Sequence, residues 1–344
     1  MKLHQLRALV AIADSGSIRN AARSAALSPA AITKALRELE EDVGVALLLR
    51  ETTGVTLTHA GHALLGHARL MVGQLARARQ DMDLLAGKRH GTLAVAIPSW
   101  FGQTLLGSVV NLFQRRMPET RLEFFESLLT VSLPKLRDGT LDLSINRACP
   151  APFQDEFSQV PLFMTGYAVV GRLGHPLAEA RTLEELKDAS WVLNRDYSGD
   201  DAPAQSNSFG AYFRRHAPPV HVSHSGVLAI SLIAHTDLLS LMPWPLAELM
   251  VAKEGLCVLP ISEPAADVEI SLMYRRGAPL SRAARCFAES AMTVIRESIA
   301  STDPELRRLF HSVECLLAPD YRWPDAAGSG AGDGGATSPG IGQT

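Results

Sequence analysis

A short segment near the start of the chain places small, hydroxyl and cationic side chains on one helical face, at Ala30, Thr33, Lys34 and Arg37. A small residue can contact a thymine methyl group, a hydroxyl can bond to base edges, and cations bind guanine or phosphates. The other face repeats apolar residues at helical spacing, namely Ile32, Leu36, Leu39 and Val43. The segment therefore predicts an amphipathic helix that buries one face and presents the other to a DNA groove.

Ser28 and Pro29 mark the start of this helix. A serine at the cap accepts hydrogen bonds from free N–H groups, and proline at the first helical position has no N–H to lose. The alanines of the preceding segment are small enough to let a second helix approach, namely Ala21, Ala22 and Ala25. Two helices around a tight turn predict a helix-turn-helix. The alternative is a small helical bundle with solvated charges.

A wing is predicted beyond this helix, because Leu47–Arg50 and Val55–Leu57 are short extended runs on either side of a polar, glycine-containing turn. Together with the start of the first helix of the motif, these elements define the expected DNA contacts. The residues that we expect to contact DNA are Ser17, Arg19, Ser28, Ala30, Thr33, Lys34, Arg37, Arg50 and Thr52.

Charge separates the N-terminal part from the rest of the chain. The first 90 residues hold twelve basic and eight acidic residues, whereas the whole chain has a formal net charge of −3. Positive potential is therefore concentrated at one end, as a head that contacts phosphates requires. A nucleoid-type architectural protein is a less suitable class, because the remaining two-thirds of the chain is acidic.

Length and composition predict a multi-domain protein. A chain of 344 residues with 47% hydrophobic residues supports two or three packed domains. No apolar run is long enough for a membrane span and no signal segment is seen, so we expect a cytoplasmic protein without membrane contact. The four cysteines are widely spaced without a CxxC pair, which predicts free thiols.

A long helix follows the wing, beginning after Thr58 and ending near Gly87. Its apolar residues recur at alternating spacings of four and three, namely Leu64, Ala68, Met71, Leu75, Ala78, Met82 and Leu85. A period of 3.5 residues predicts a coiled-coil seam, and hence a homodimer through this helix. The alternative is a single amphipathic helix that packs on its own domain.

From Gly91 onward, apolar strands alternate with amphipathic helices, which predicts an α/β fold with a mostly parallel sheet. Expected strands include Leu93–Ile97, Leu141–Ile145 and Val258–Ile261, and the last helix is expected over Arg282–Ile299. The tail over residues 319–344 is rich in Gly, Ala and Ser and is expected to be disordered.

The chain resembles the LysR-type transcriptional regulators over residues 1 to about 300. The segments that carry the resemblance are Leu6–Ile12, Ser17–Ala22, Leu36–Glu40, Leu48–Arg50 with Leu57–Gly61, Gly91–Leu93, Leu136–Leu143 and Gly174–Leu177. It departs from the usual Ser-Gln-Pro/Ser pattern at Ser28-Pro29-Ala30, where a glutamine that often reaches DNA is absent. Base readout is therefore expected to rely on Ala30, Thr33, Lys34 and Arg37, and the family pattern does not identify the operator bases.

The resemblance implies a winged helix-turn-helix over residues 1–58, a dimerisation helix over 59–89 and an effector-binding domain over 90–300. The effector domain would resemble periplasmic binding proteins, with subdomain I at 90–161 and 269–300 and subdomain II at 162–268. Two crossover strands would join the subdomains, and a small-molecule cleft would lie between them. The implied partners are double-stranded DNA, a small-molecule effector and further copies of the chain up to a homotetramer, with RNA polymerase as a further candidate.

Polar residues follow several predicted strands, where open α/β sheets bind ligands. We expect Ser99 and Arg147 to hold a small organic anion, with aromatic residues against its apolar part. The expected effector-binding residues are Ser99, Trp100, Phe101, Glu126, Ser127, Asn146, Arg147, Phe163, Asn194, Ser225, Gly226 and Pro243. The alternatives are that Ser99 only caps its helix, Trp100 belongs to the core, and Arg147 pairs with Glu126.

The rival functional class is a hydrolase-like enzyme with an accessory DNA-binding head. The sequence contains no GxSxG elbow or P-loop, so we expect no catalytic residues and no cofactor. His59, His62 and His67, and the pair His221 and His224, lack a nearby set of thiols or carboxylates. We therefore expect no metal site.

Overall fold

The structure is a computed structural model that describes residues 1–25, 27–51, 54–85, 91–194, 207–263, 265, 267–278, 280–318 and 321. Except for Tyr321, the predicted disordered tail lies outside these residues, and so does Thr52 of the wing. No helix within them is long and apolar enough to cross a membrane.

The N-terminal head contains three helices and a two-stranded hairpin. The helices are α1 (Leu3–Ser15), α2 (Ile18–Ser24) and α3 (Pro29–Val43), and the antiparallel strands are β1 (Leu48–Glu51) and β2 (Gly54–Leu57). The predicted apolar stripe forms the core of the head, since Ile32, Leu36 and Leu39 are buried against α1 and α2. The helix-turn-helix and its wing are therefore confirmed as elements of the fold.

The long helix is α4 (His59–Leu85). Thr58 precedes it and accepts a hydrogen bond from the N–H of Gly61 at 2.9 Å, while its hydroxyl donates to the carbonyl of Ala46 at 2.8 Å. Ala68 of the predicted seam is buried against the head, but Met71 and Met82 are 49% and 59% exposed. The first part of the seam thus packs within its own chain, and the later part presents apolar side chains outward.

The C-terminal region contains two sheets and the helices that cover them. Its elements, in chain order, are β3 (Thr92–Ile97), α5 (Ser99–Thr104), α6 (Leu106–Arg116), β4 (Arg121–Glu126), α7 (Leu129–Arg137), β5 (Leu143–Arg147), β6 (Phe157–Thr165), β7 (Tyr167–Arg172), β8 (Ser190–Asn194), α8 (Asn207–His216), β9 (Val220–Ser223), α9 (Gly226–His235), β10 (Leu238–Pro243), α10 (Trp244–Glu254), β11 (Leu256–Val258), β12 (Val268–Arg275), α11 (Arg282–Ile299), α12 (Pro304–Leu309) and β13 (Val313–Cys315).

The strands form two α/β subdomains. The first sheet has the order β13-β6-β12-β5-β3-β4, and the second has the order β11-β7-β10-β8-β9. The chain passes from the first sheet to the second between β6 and β7, and returns between β11 and β12. The two-subdomain architecture agrees with the sequence-based expectation.

Three details differ from that expectation. The sheets are mixed rather than mostly parallel, because β12 pairs antiparallel with β5 and β6, and β7 pairs antiparallel with β10 and β11. The strand expected over Val258–Ile261 ends at Val258, because Pro260 has no N–H for the ladder and the N–H of Ile261 turns back to Leu259. The helix α12 and the strand β13, which extends the first sheet, were not predicted.

Candidate functional site

The polar face of α3 is the first candidate site. The hydroxyl of Ser28 accepts a hydrogen bond from the N–H of Ala31 at 3.1 Å, and Pro29 occupies the first turn, as the sequence predicts. Ala30 and the cations of the next two turns are exposed, whereas Thr33 is half-buried and its hydroxyl donates to the carbonyl of Pro29 at 2.9 Å. The helix therefore presents a small residue and two cations outward from a buried apolar stripe.

Each cation on this face has an acidic partner one turn later on the same helix. The Lys34 ammonium lies 3.9 Å from Glu38, and the Arg37 guanidinium donates to Glu41 at 2.8 Å. Their side chains are 79% and 78% exposed. Exposed pairs of this spacing contribute only about 0.3–0.5 kcal/mol each, so a phosphate or a guanine can replace the acid at little cost.

The predicted DNA contacts outside α3 differ in their exposure. Arg19 is exposed on α2, and Ser17 is half-buried at the position that precedes this helix, without a side-chain cap bond. The backbone of Arg50 lies in β1, but its side chain is outside the described part of the chain. Sequence reasoning missed Glu40, whose carboxylate accepts from the N–H groups of Leu47 and Leu48 at 2.8 and 3.1 Å and so positions the wing on α3.

The second candidate site is an open cavity of about 430 Å³ between the two subdomains. Its walls come from β3, α5 and β4 on one side and from α9 and α10 on the other. The lining residues are Ile97, Pro98, Ser99, Gly102, Gln103, Phe124, Phe125, Glu126, Val227, Ile230, Met250 and Glu254. Both ionisable residues among them are acids, so the cavity has an apolar wall with negative charge at its edges.

At one edge of the cavity, Ser99, Glu126 and Gly226 come together from both subdomains. The hydroxyl of Ser99 and the N–H of Gly226 both donate to the same oxygen of the Glu126 carboxylate, the second at 2.9 Å. Ser225 precedes Gly226 at the start of α9, and its side chain makes no cap bond to the helix. Glu126 therefore pairs with the first N–H of α9 from the other subdomain.

The predicted aromatic wall is not part of this cavity. Trp100, Phe101 and Phe163 are 6%, 0% and 1% exposed and belong to the main hydrophobic core. The ring of Trp100 packs edge-on against both phenylalanines, with centroids 5.9 and 5.7 Å apart. The physical reason is that Trp100 and Phe101 lie on the buried side of α5 and Phe163 lies in β6, so the three rings pack together in the core. The alternative expectation for Trp100, a core residue, is the one that the structure supports.

Ser127 and Asn146 belong to a buried polar network inside subdomain I. The amide nitrogen of Asn146 donates to the Ser127 hydroxyl at 2.6 Å, and the Ser127 and Ser144 hydroxyls lie 3.1 Å apart. Both residues are buried, so they position β5 against the neighbouring elements rather than line the cavity. Their polar side chains are satisfied within the fold, as buried polar groups require.

The remaining predicted effector residues lie at strand and helix ends. Arg147 is half-buried at the end of β5, where it pairs in register with Ile270 of β12. Pro243 is half-buried at the junction of β10 and α10, and Asn194 pairs with Ser223, although the Asn194 side chain is outside the description. None of these three is among the described residues that line the cavity.

Sequence reasoning missed the contribution of α10. Met250 and Glu254 line the cavity from the last turns of this helix, far in sequence from any strand end on the opposite wall. The rule that ligands lie beyond the carboxyl ends of strands does not point to a helix C-terminus. A tertiary contact between α10 and α5 brings these residues to the cavity.

Three of the four cysteines are unsuited to nucleophilic chemistry, namely Cys149, Cys257 and Cys286. All four are free, and burial raises the pKa of the Cys149 thiol to about 11. Burial also raises the pKa of Cys257 and of Cys286. These three thiols are therefore protonated at neutral pH, whereas a nucleophilic cysteine needs a lowered pKa. Within the described ranges, no group of three His, Cys, Asp or Glu side chains could hold a metal ion.

Comparisons with known proteins agree on one family. Residues 3–62 match the model for the bacterial regulatory helix-turn-helix protein, lysR family, and residues 86–296 match the model for the LysR substrate binding domain. The transcriptional regulator TdcA of Escherichia coli K12 is 25% identical over 281 residues, which covers 80% of this chain and 88% of TdcA.

Solved structures show the same fold. ArgP from Mycobacterium tuberculosis superimposes with a TM-score of 0.62 at 20% identity, over 85% of this chain and 96% of ArgP. CbnR in complex with its target DNA superimposes with a TM-score of 0.57 at 21% identity, over 86% of this chain and all of CbnR. The head, the long helix and the two α/β subdomains therefore occur together in both of these solved structures.

Proposed function

The chain belongs to the LysR family of bacterial transcriptional regulators, and from this premise we propose that α3 reads a specific operator while a small molecule in the inter-subdomain cavity controls the outcome. One observation carries the DNA-binding half of the proposal. The capped helix α3 buries its apolar stripe and leaves Ala30, Lys34 and Arg37 exposed on the opposite face. These residue types recognise thymine, phosphate and guanine.

The experiment is selection of bound duplexes from a random library by the purified full chain, followed by affinity measurement. We expect one enriched sequence to bind at least a thousandfold more tightly than an unrelated duplex at physiological salt. No enrichment, with binding that depends only on salt, would contradict sequence-specific recognition. The matched reference is the variant Lys34→Ala/Arg37→Ala, which keeps the buried stripe of α3 intact.

The proposed oligomer forms through α4 and through a second apolar surface. Met71 and Met82 are exposed along the predicted seam, and a coiled coil would bury them against a second copy. A separate strip on α9 exposes Val227, Leu228 and Leu232 by 68%, 63% and 41%. Two distinct apolar surfaces on one chain are what a dimer of dimers needs, so this geometry supports the predicted tetramer.

A single side chain supports coupling between the effector region and the head. Arg69 of α4 bonds to Asp14 at the end of α1 and, at 3.2 Å, to Asp138 at the end of α7. A methyl group added at Gly73 would lie 3.3 Å from the Asp138 carbonyl, so the helix also packs closely on this turn. A movement of subdomain I would therefore be transmitted to the head through these direct contacts with α4.

An effector changes transcription only if it binds one arrangement of the assembly better than another. The cavity between the subdomains is suited to this role, because its two walls belong to separate sheets joined by two crossovers. A coupling of about 1–3 kcal/mol between effector and operator would be typical. That the effector is an organic anion, and that Arg147 helps to hold it, stay predictions.

A further inference from the structure

We propose that Glu126 acts as an internal substitute for the carboxylate of an effector: it holds the cleft closed and must be displaced before an external carboxylate can bind. This inference rests on the proposed function of the cavity. Glu126 belongs to subdomain I, whereas one of its two donors belongs to subdomain II. The three residues Ser99, Glu126 and Gly226 are called the clasp below.

The donors of the clasp are the kind that recognise a carboxylate. The N–H of Gly226 is in the first turn of α9, a helix of ten residues, where unpaired N–H groups and the helix dipole favour an anion. The Ser225 side chain does not cap this end. The Glu126 oxygen fills the position at 2.9 Å, and the Ser99 hydroxyl bonds to the same oxygen. An effector carboxylate at this place would meet the same two donors.

A steric observation supports the clasp independently of charge. A methyl group added at Gly226 would lie 2.4 Å from the Ser99 hydroxyl oxygen, 2.8 Å from the Ser99 Cβ and 3.4 Å from Glu126. Only a glycine lets the backbone of α9 approach Ser99 this closely. The two subdomains therefore touch at a point where the sequence leaves room for no side chain.

The adjoining cavity indicates which carboxylates would compete with Glu126. Its wall next to the clasp is apolar, with Ile97, Phe124 and Ile230 among the lining residues. Glu254 supplies a second negative charge on the α10 side. A molecule with an apolar body and one carboxylate would bury its body there and exchange its carboxylate for that of Glu126. A dicarboxylate would be repelled by Glu254.

The clasp lowers the apparent affinity of such a ligand. For a ligand that needs the open arrangement, the apparent affinity is the intrinsic affinity multiplied by the fraction of molecules in which the clasp is open. Removal of the Glu126 side chain frees both donors and removes the competition. The ligand should then bind more tightly, although a side chain that lines its own cleft has been removed. A residue that simply contacted the ligand would have the opposite effect.

The test uses the full chain, hydrogen exchange and a benzoate titration. In Glu126→Ala and in Gly226→Ala, the peptide over residues 223–230 should exchange roughly tenfold faster, as expected for loss of one charge-assisted hydrogen bond. Glu123→Ala, on the same strand and exposed, is the charge control. Gly107→Ala, where an added methyl group meets nothing within 4 Å, is the glycine control. Both controls should exchange like the unmodified chain.

Benzoate is the ligand probe, and calorimetry measures its affinity. Glu126→Ala should bind benzoate at least tenfold more tightly than the unmodified chain, whereas Glu123→Ala should not. Unchanged exchange in both clasp variants, or faster exchange without tighter benzoate binding, overturns the proposal. Operator selection by the unmodified chain runs in parallel, and its failure would count against the proposed function while the exchange data still judge the clasp.

Discussion

The strongest test of the DNA-binding face is to replace the two cations on α3, and Arg37→Ala is the most informative of these substitutions. Among the described residues of the free protein, the partner of the Arg37 guanidinium is Glu41, at 2.8 Å, and 78% of the Arg37 side chain is exposed. Breaking this pair costs about 0.3–0.5 kcal/mol, whereas a good guanidinium contact to guanine contributes about 1–3 kcal/mol. The net loss of operator affinity in Arg37→Ala is therefore about 0.5–2.7 kcal/mol, or roughly 2- to 100-fold.

The same reasoning predicts the opposite effect for the partner. Glu41→Gln removes the competing acid and a negative charge near the DNA, so operator affinity should rise by about twofold or more. Lys34→Ala should reduce the slope of log affinity against log salt by about one, if the ammonium contacts a phosphate. None of these changes should alter the free energy of unfolding by more than about 0.5 kcal/mol, because the three side chains are exposed.

The assay is fluorescence anisotropy with the selected operator at several salt concentrations, with thermal unfolding of each variant as the stability check. Arg79→Ala is the matched control, since Arg79 is an exposed arginine on α4 outside the head. The reasoning is refuted if Lys34→Ala/Arg37→Ala binds the operator with unchanged affinity and an unchanged salt slope. A folded double variant with weak, nonspecific binding is the expected result.

Three further predictions concern assembly and stability. Met71→Asp should abolish the expected dimer without unfolding the chain, because Met71 is 49% exposed in one copy. Light scattering measures the mass, and Ala63→Asp, which lies off the seam, should leave that mass unchanged. Ser28→Ala removes the cap of α3 and should destabilise the head by about 1 kcal/mol in denaturant unfolding. Hydrogen bonding to Arg137 lowers the pKa of Glu156 in the folded state. The ionised Glu156 therefore stabilises the fold fully above its unfolded-state pKa, and this stabilisation is lost as the pH falls through its folded-state pKa. Glu156→Gln should reduce the loss of unfolding free energy at acid pH, as measured by unfolding curves.

Each of these has a clear contrary outcome. An unchanged oligomeric mass and operator affinity in Met71→Asp would show that the seam packs only within one chain. A Ser28→Ala variant as stable as the unmodified chain would mean that solvent satisfies the Ala31 N–H equally well. If the free energy of unfolding of Glu156→Gln falls at acid pH as it does in the unmodified chain, the pKa of Glu156 is the same in the folded and unfolded states.

Local features of the sequence determined the elements of the head. The Ser28-Pro29 start and the spacing of Ile32, Leu36 and Leu39 predicted α3, and its cap bond and buried stripe are observed. The last long helix was predicted over Arg282–Ile299 and has these bounds. Capping and amphipathic periodicity act between residues a few positions apart, so they are readable without knowledge of the fold.

The tertiary structure decided which strand-end residues meet. Glu126 and Gly226 are 100 positions apart, and their hydrogen bond depends on how two sheets are placed by their crossovers. The position of Trp100 directly beside Ser99 suggested a shared cleft, yet one side chain enters the core and the other faces the cavity. Burial on one side of a helix and contact across two subdomains are set by distant packing partners. A spacing rule along the chain cannot supply them, because the free energy of those contacts depends on surfaces that the sequence brings together only after folding.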